Sequence, residues 1–340
     1  MKSLATLIRN GDARVARVWS IVSASLLLAT AGWSQRLIWL GTLPGGDSSY
    51  AYGVSADGSV VVGDAFNAAG QDRAFRWVLT NPATGAGTMY DLGTLGGTWS
   101  EARGVSADGS VVVGRAENAA GQYRAFRWVL TDPATGAGTM YDLGTLPGGD
   151  WSEAFGVSAD GSVVVGRANI RWLRHAFRWV LTNQATGAGT MYDLGTLGTW
   201  WGRVNGVSAD GSVMVGSATN AAGQGRAFRW VLTNQATGAG TMYDLGTLPN
   251  DIHSVAGGVS ADGSVVVGAS YDADNMPRAF RWTQQTGMQA LGTLGGNQSV
   301  AGGVSADGSV VVGTSTYAAG QFRAFRWTPQ TGMQDLNQVY

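Results

Sequence analysis

The residues of this chain with the plainest chemical use are tryptophans, arginines and glutamates at recurring offsets. Trp99-Ser100-Glu101-Ala102 and Trp151-Ser152-Glu153-Ala154 repeat one tetrapeptide, and their glutamates are two of the three in the chain. Two carboxylates about 5 to 9.5 Å apart can cleave a glycosidic bond. In the same set of loops stand Trp200, Trp201, Arg103, Arg203, Tyr50 and Tyr52, and Trp172 stands in a second set of loops expected at the same end. Aromatic faces stack on sugar rings or apolar partner surfaces, and arginine forks bond to carboxylates. The two histidines, His175 and His253, lie in no G-x-S-x-G or H-E-x-x-H pattern. With no cysteine, disulfides, thiolate metal sites and cysteine nucleophiles are excluded together. Aspartates recur in an Asp-Gly-Ser string, but the D-x-[DN]-x-[DN]-G pattern of a calcium loop is absent, so they read as turn caps. The sequence calls for no cofactor and no metal.

What positions these residues is a repeat. The segment G-V-S-A-D-G-S-V-[VM]-V-G occurs six times, with its aspartate at Asp57, Asp108, Asp160, Asp210, Asp262 and Asp307. The periods of 51, 52, 50, 52 and 45 residues point to a propeller or an array. Each unit then carries [RH]-A-F-R-W, beginning at Arg73, Arg124, His175, Arg226, Arg278 and Arg323, followed in five units by L-G-T-L. A further L-G-T-L precedes unit one at Leu40. Composition agrees with short strands joined by tight turns: 53 of 340 residues are glycine, and only 13% are charged. A hydrophobic share of 44% is ample for a core, which excludes a disordered chain. The net charge of -1 offers no handle on nucleic acid.

Four short strands are expected per unit. The first ends at Gly-Val-Ser, and Ala-Asp-Gly turns the chain. Val60-Val61-Val62 forms the second strand, whose unbroken β-branched run implies burial on both faces. Arg73 to Trp77 forms the third, with Phe75 and Trp77 on one face and Ala74 and Arg76 on the other. Met89 to Leu95 forms the fourth. Arg76 and its copies are expected to pair with a carboxylate such as Asp91. Six such sheets describe an all-β, six-bladed β-propeller of four-stranded antiparallel blades, spanning residues 36–340 as one domain. Seven copies of the fourth-strand segment for six units imply that an N-terminal strand, Leu37 to Leu43, pairs with C-terminal strands to close the ring. A right-handed β-solenoid competes, but its coils are shorter and it needs capping repeats, which are absent.

Residues 1–31 read as a signal peptide. Lys2, Arg9, Arg14 and Arg17 precede the apolar run Val18 to Ala31, which is short for a membrane span. A retained anchor is the alternative. The mature domain is then secreted, extracellular or periplasmic, without stable membrane insertion, and monomeric.

The string R-A-F-R-W-T-P-Q-T-G-M-Q-D-L, with the preceding L-G-T-L-G-G-N-Q-S-V-A-G-G-V-S-A-D-G-S-V-V-V-G, closely resembles the bacterial extracellular HAF repeats. Unit three has the triplet His175-Ala176-Phe177, where the other five units have arginine first. The resemblance covers about residues 36–339 and implies an extracellular repeat protein with no shared catalytic mechanism.

Residues identical in all units serve stacking, so the variable end of the ring is where a site is expected. Trp99, Trp151, Trp172, Trp200 and Trp201, with Arg103, Arg203 and Tyr52, form the expected binding surface for a glycan or surface protein. The chain then acts as a binding or adhesion module and not as an enzyme. A ligand-free envelope scaffold is the first alternative, favoured if the loop tryptophans are buried. A sialidase-like hydrolase using Glu101 and Glu153 is the second.

Overall fold

The structure, a computed structural model, describes residues 38–339. The signal segment read in residues 1–31 lies outside them.

Unit one shows how a repeat folds. β1 (Ser49–Val54), β2 (Val60–Phe66), β3 (Asp72–Asn81) and β4 (Ala86–Asp91) form an antiparallel sheet in sequence order. The Ala-Asp-Gly turn closes the first hairpin, and Asp57 Oδ1 accepts the Ser55 hydroxyl at 2.6 Å, the Ser59 amide at 2.9 Å and the Ser59 hydroxyl at 2.8 Å. The other five aspartates accept the same three donors, so the turn-cap reading holds.

Sheets then stack face to face. Val112 packs towards unit one, with Val60, Val62, Phe126 and Trp128, whereas its neighbours Val111 and Val113 pack towards unit three, with Ala125, Val164, Phe177 and Trp179. The valine run is therefore buried on both faces, and removing that much apolar surface from water is the main favourable contribution to stacking. Phe126 and Trp128 share one face of the third strand and Ala125 takes the other, as alternation requires. Within a sheet the indole lies flat on the neighbouring strand: a Cβ on Gly87 would fall 2.1 Å from the Trp77 ring, so only glycine fits beneath it. Backbone bonds tie the turns together. The Ala56 amide donates to the Ala107 carbonyl at 3.0 Å, and Ala107, Ala159, Ala209 and Ala261 each repeat the bond to the next unit.

Three expectations need correction. Arg76 does not pair with Asp91: its Nε donates to the Gly109 carbonyl of the next unit at 2.8 Å, and Asp91 lies 4.0 Å from Arg73 instead. The second arginine of R-A-F-R-W thus bonds sheet to sheet in units one, two, four and five. Second, the repeat predicts six separate blades, whereas hydrogen bonding gives four four-stranded sheets and one of eight strands. The eight-stranded sheet arises where Arg174 and Trp201 meet in a single parallel pair between units three and four. The loop Ile170-Arg171-Trp172-Leu173 is a tight hairpin there, which brings the start of one third strand against the next first strand.

The third correction concerns closure. L-G-T-L is not strand: β4 ends at Asp91, and Gly93 and its copies adopt φ between 72° and 81°, turning the chain out of the sheet. Its leucines wedge between sheets instead, as Leu92 and Leu95 do between units one and two. Accordingly residues 38–48 hold no strand, and the last strand, Gly332–Asp335, pairs with Phe322–Thr328 and then runs into the short helix Leu336–Val339. No pairing of N- and C-terminal strands closes a ring among the described residues. The end faces reflect this. Ala324 is exposed, where Ala74, Ala125, Ala176, Ala227 and Ala279 are buried, and the alanine ladder stops at Ala306.

Candidate functional site: the axial cavity

The first strands of successive units contact one another and surround a cavity of about 560 Å³. Each carries a bulge at the same place, since pairing skips one residue between Ala51 and Gly53, Ala102 and Gly104, and their counterparts. A bulge re-aims the side chain of its extra residue. The six bulge residues are Tyr52, Arg103, Phe155, Asn205, Gly257 and Gly302, and all six line the cavity. An invariant backbone device thereby presents four different side chains, and two glycines without any, to one space.

Charge concentrates on one wall. Arg103 bonds Glu101 at 2.7 Å and lies 3.9 Å from Glu153, while Arg115 lies 3.5 Å from Glu101 and Arg167 2.9 Å from Glu153. Guanidinium groups also sit over rings: Arg103 is 4.8 Å from the Tyr52 centroid and Arg203 is 4.7 Å from Phe155. Burial pushes the Glu101 carboxyl up, against the pull of Arg103 and Arg115. Asp64, on the second strand beside this wall, is buried; burial and then Glu101 push it up to about 7, against the pull of the Tyr52 hydroxyl and Arg103. Burial foremost also raises Tyr52. Units five and six line the cavity with uncharged residues, among them Gly257, Gly258, Ala269, Val300 and Gly302 and the larger Val255 and Tyr271.

No protein-family model matches the chain, and no curated protein does. Solved structures do. The chain is similar to a prolyl endopeptidase with a TM-score of 0.58 at 13% identity, over 85% of this chain and 42% of that one. It is similar to the β-propeller domain of the Trilobed protease from Pyrococcus furiosus, described as having an open velcro topology, with a TM-score of 0.52 at 11% identity over 84% of each chain. TolB from Acinetobacter baumannii matches with a TM-score of 0.45 at 13% identity, over 78% of this chain and 65% of that one. The fold is a β-propeller. At these identities the likeness reaches architecture and not chemistry.

The propeller brings together three of the eight expected binding residues, Tyr52, Arg103 and Arg203, in its axial cavity. The tryptophans lie outside that lining. Trp99 is half-buried, its indole N–H donating to Asp72 at 3.2 Å, edge-on to Tyr123 at 5.3 Å and beneath Arg115 at 4.6 Å. Trp151 is half-buried against Arg167 and Arg174, and Trp201 is half-buried in the first strand of unit four. Trp172 and Trp200 are open to solvent, at 95% and 59% exposure. Among the described residues no two tryptophan rings stack, so the expected set divides into an inner polar site and two outer rings. Glu101 and Glu153 do converge, on Arg103, but as ion-paired carboxylates.

The expected binding set omits Asp64, Phe155, Arg167 and Asn205. The signal was present in two columns. The residue after V-V-V-G varies (Asp64, Arg115, Arg167, Ser217, Ala269, Thr314), as does the residue before G-V-S, inside otherwise constant strands.

Proposed function

We propose that this propeller is a secreted or cell-envelope binding module of the HAF-repeat type, receiving a glycan or protein ligand at its variable end. The observation that carries this reading is asymmetry. Equivalent bulge positions hold tyrosine, arginine, phenylalanine and asparagine in units one to four but glycine in five and six. Stacking alone gives no reason for such a division, because every unit uses the same bulge. The exposed rings of Trp172 and Trp200 lie in units three and four, which also supply Glu153, Arg167 and Arg203 to the cavity lining. In this reading the eight-stranded sheet is two blades joined by one residue pair, and the repeat supplies six blades in all. No catalytic step is assigned, since Glu101 and Glu153 are each engaged by arginine.

The test is a screen of the exported domain against glycans and bacterial surface proteins, followed by Trp172→Ala and Trp200→Ala. Both side chains are exposed, so both variants should keep the parent unfolding temperature while losing at least about tenfold in affinity for any ligand found. Absence of binding across all classes transfers the assignment to a ligand-free envelope scaffold. Fractionation of the native host tests export: recovery in the cytoplasm contradicts it.

A further inference from the structure

The axial cavity holds a cation with no acid to match it. Arg103, Arg167 and Arg203 line it, and Glu153 is the one carboxylate in its lining. That carboxylate is engaged by Arg167 and lies near Arg103, which is itself bonded to Glu101. Arg203 has no carboxylate within ion-pair distance among the described residues. Its Nε donates to Asn205 Oδ1, the Asn205 amide donates to the Ala256 carbonyl at 2.7 Å, and the guanidinium rests on Phe155. The side chain is thus aimed and braced but electrically unpaired. Burial and then the charge of Arg167 lower its proton affinity, and Glu153 offsets this only in part. A partly buried, unpaired guanidinium destabilises the empty protein, and an anion removes the penalty.

Geometry narrows the anion. The Arg203 fork keeps its terminal nitrogens for a planar two-oxygen acceptor, the arrangement that suits a carboxylate. Faces of Tyr52 and Phe155 are occupied by Arg103 and Arg203, so this wall binds charge and does not stack a sugar. Units five and six offer glycine backbone, Val300 and the half-buried Tyr271 to an uncharged body. About 560 Å³ accommodates an amphiphilic ligand of modest size.

Resting on the binding-module reading, we propose that the cavity binds a carboxylate carried on an apolar body, the carboxylate on Arg203 and the body against the uncharged lining of units five and six. A free organic acid and the C-terminus of a peptide share this chemistry. The experiment titrates the full exported protein with 3-phenylpropionate and with its amide, then with N-acetyl-Gly-Phe and its C-terminal amide. Each acid is expected to bind at least tenfold more tightly than its amide; strength in the peptide pair beyond the small acid assigns a peptide end, and the reverse assigns a free acid. Arg203→Met keeps contact with Phe155 and should abolish the preference for the acid while holding or raising the unfolding temperature of the empty protein. Arg203→Lys, which keeps charge but loses the fork, should weaken acid binding at least tenfold. Equal binding of acid and amide, or an undiminished acid preference in Arg203→Met, overturns the proposal. Should a screened ligand still depend on Trp172 while the acids fail, this inference falls and the binding-module reading stands.

Discussion

Arg127 of unit two donates its Nε–H to the Gly161 carbonyl of unit three at 2.9 Å, from a side chain only 4% exposed. The bond joins a strand of one sheet to the turn of the next, and Arg76, Arg229 and Arg281 repeat it in units one, four and five, whereas the Arg178 Nε of unit three has no partner among the described residues. Arg127→Met keeps the aliphatic packing but leaves that carbonyl without its donor, and should cost about 2 kcal/mol in urea unfolding. Arg326, the copy in the last unit, has no following turn to bond among the described residues. Arg326→Met should therefore cost less than half as much. Equal losses would show that the bond itself contributes nothing.

A serine at the start of the first strand bridges neighbouring units in the same way. The Ala125 amide donates to Ser152 Oγ at 2.9 Å, and Ser152 Oγ donates to the Gly144 carbonyl at 2.6 Å. Unit four has Gly202 in that position, and a Cβ built there lies 3.3 Å from the Gly195 carbonyl oxygen and 3.4 Å from the Ala176 amide nitrogen, the equivalent two groups. Gly202→Ser should stabilise the protein by about 1 kcal/mol, through one restored bridge and a stiffer unfolded chain. Thermal unfolding checks it, and a lower unfolding temperature would refute the equivalence.

Asp64 makes stability fall with rising pH. Its carboxyl is pushed up to about 7 from an ordinary 3.8, by burial and then by Glu101, with Asp72 adding to the rise and Tyr52 and Arg103 opposing it. Between those values the folded protein holds a proton that the unfolded chain has lost, so stability declines as pH rises towards 7 and stays reduced above it. Asp64→Asn should gain about 2 kcal/mol over the parent at pH 8 and almost nothing at pH 4. Parallel stability curves across that range would remove Asp64 as the titrating group.

The turn aspartates act in the opposite sense. Hydrogen bonds from Ser55, and then from Ser59, hold the Asp57 carboxyl below its ordinary value. Its stabilisation is present above about pH 4 and lost as pH falls further. Asp57→Asn should lower the unfolding temperature at pH 7 and change it much less at pH 2.5, followed by circular dichroism. An equal drop at both values would assign the effect to lost shape complementarity and not to the ionised cap.

Much of the blade was legible because short-range rules decide it. Asp57 caps its own turn within four residues, Val111 to Val113 declare two buried faces by lacking a polar member, and Phe126 and Trp128 share a face because strands alternate. L-G-T-L departs from the expected strand for the same kind of reason. Its apolar pair resembles a strand, yet Gly93 sits at φ 78°, a backbone state the surroundings select and composition does not announce. Arg76 is expected to pair with Asp91 of the neighbouring strand, while its partner is the backbone of a unit 33 residues on.

The chain by itself determined the repeat, the turns, the buried valines and therefore an all-β propeller, since each of these depends on residues close in sequence. Tertiary structure alone decided the rest: that a bulge turns Tyr52, Arg103, Phe155 and Asn205 to one axis, that Glu101 and Glu153 meet on Arg103, and that Arg203 is left without an acid. Those relations join residues about fifty positions apart. Their distances follow from how far each sheet rotates on the last, and no single repeat encodes that rotation.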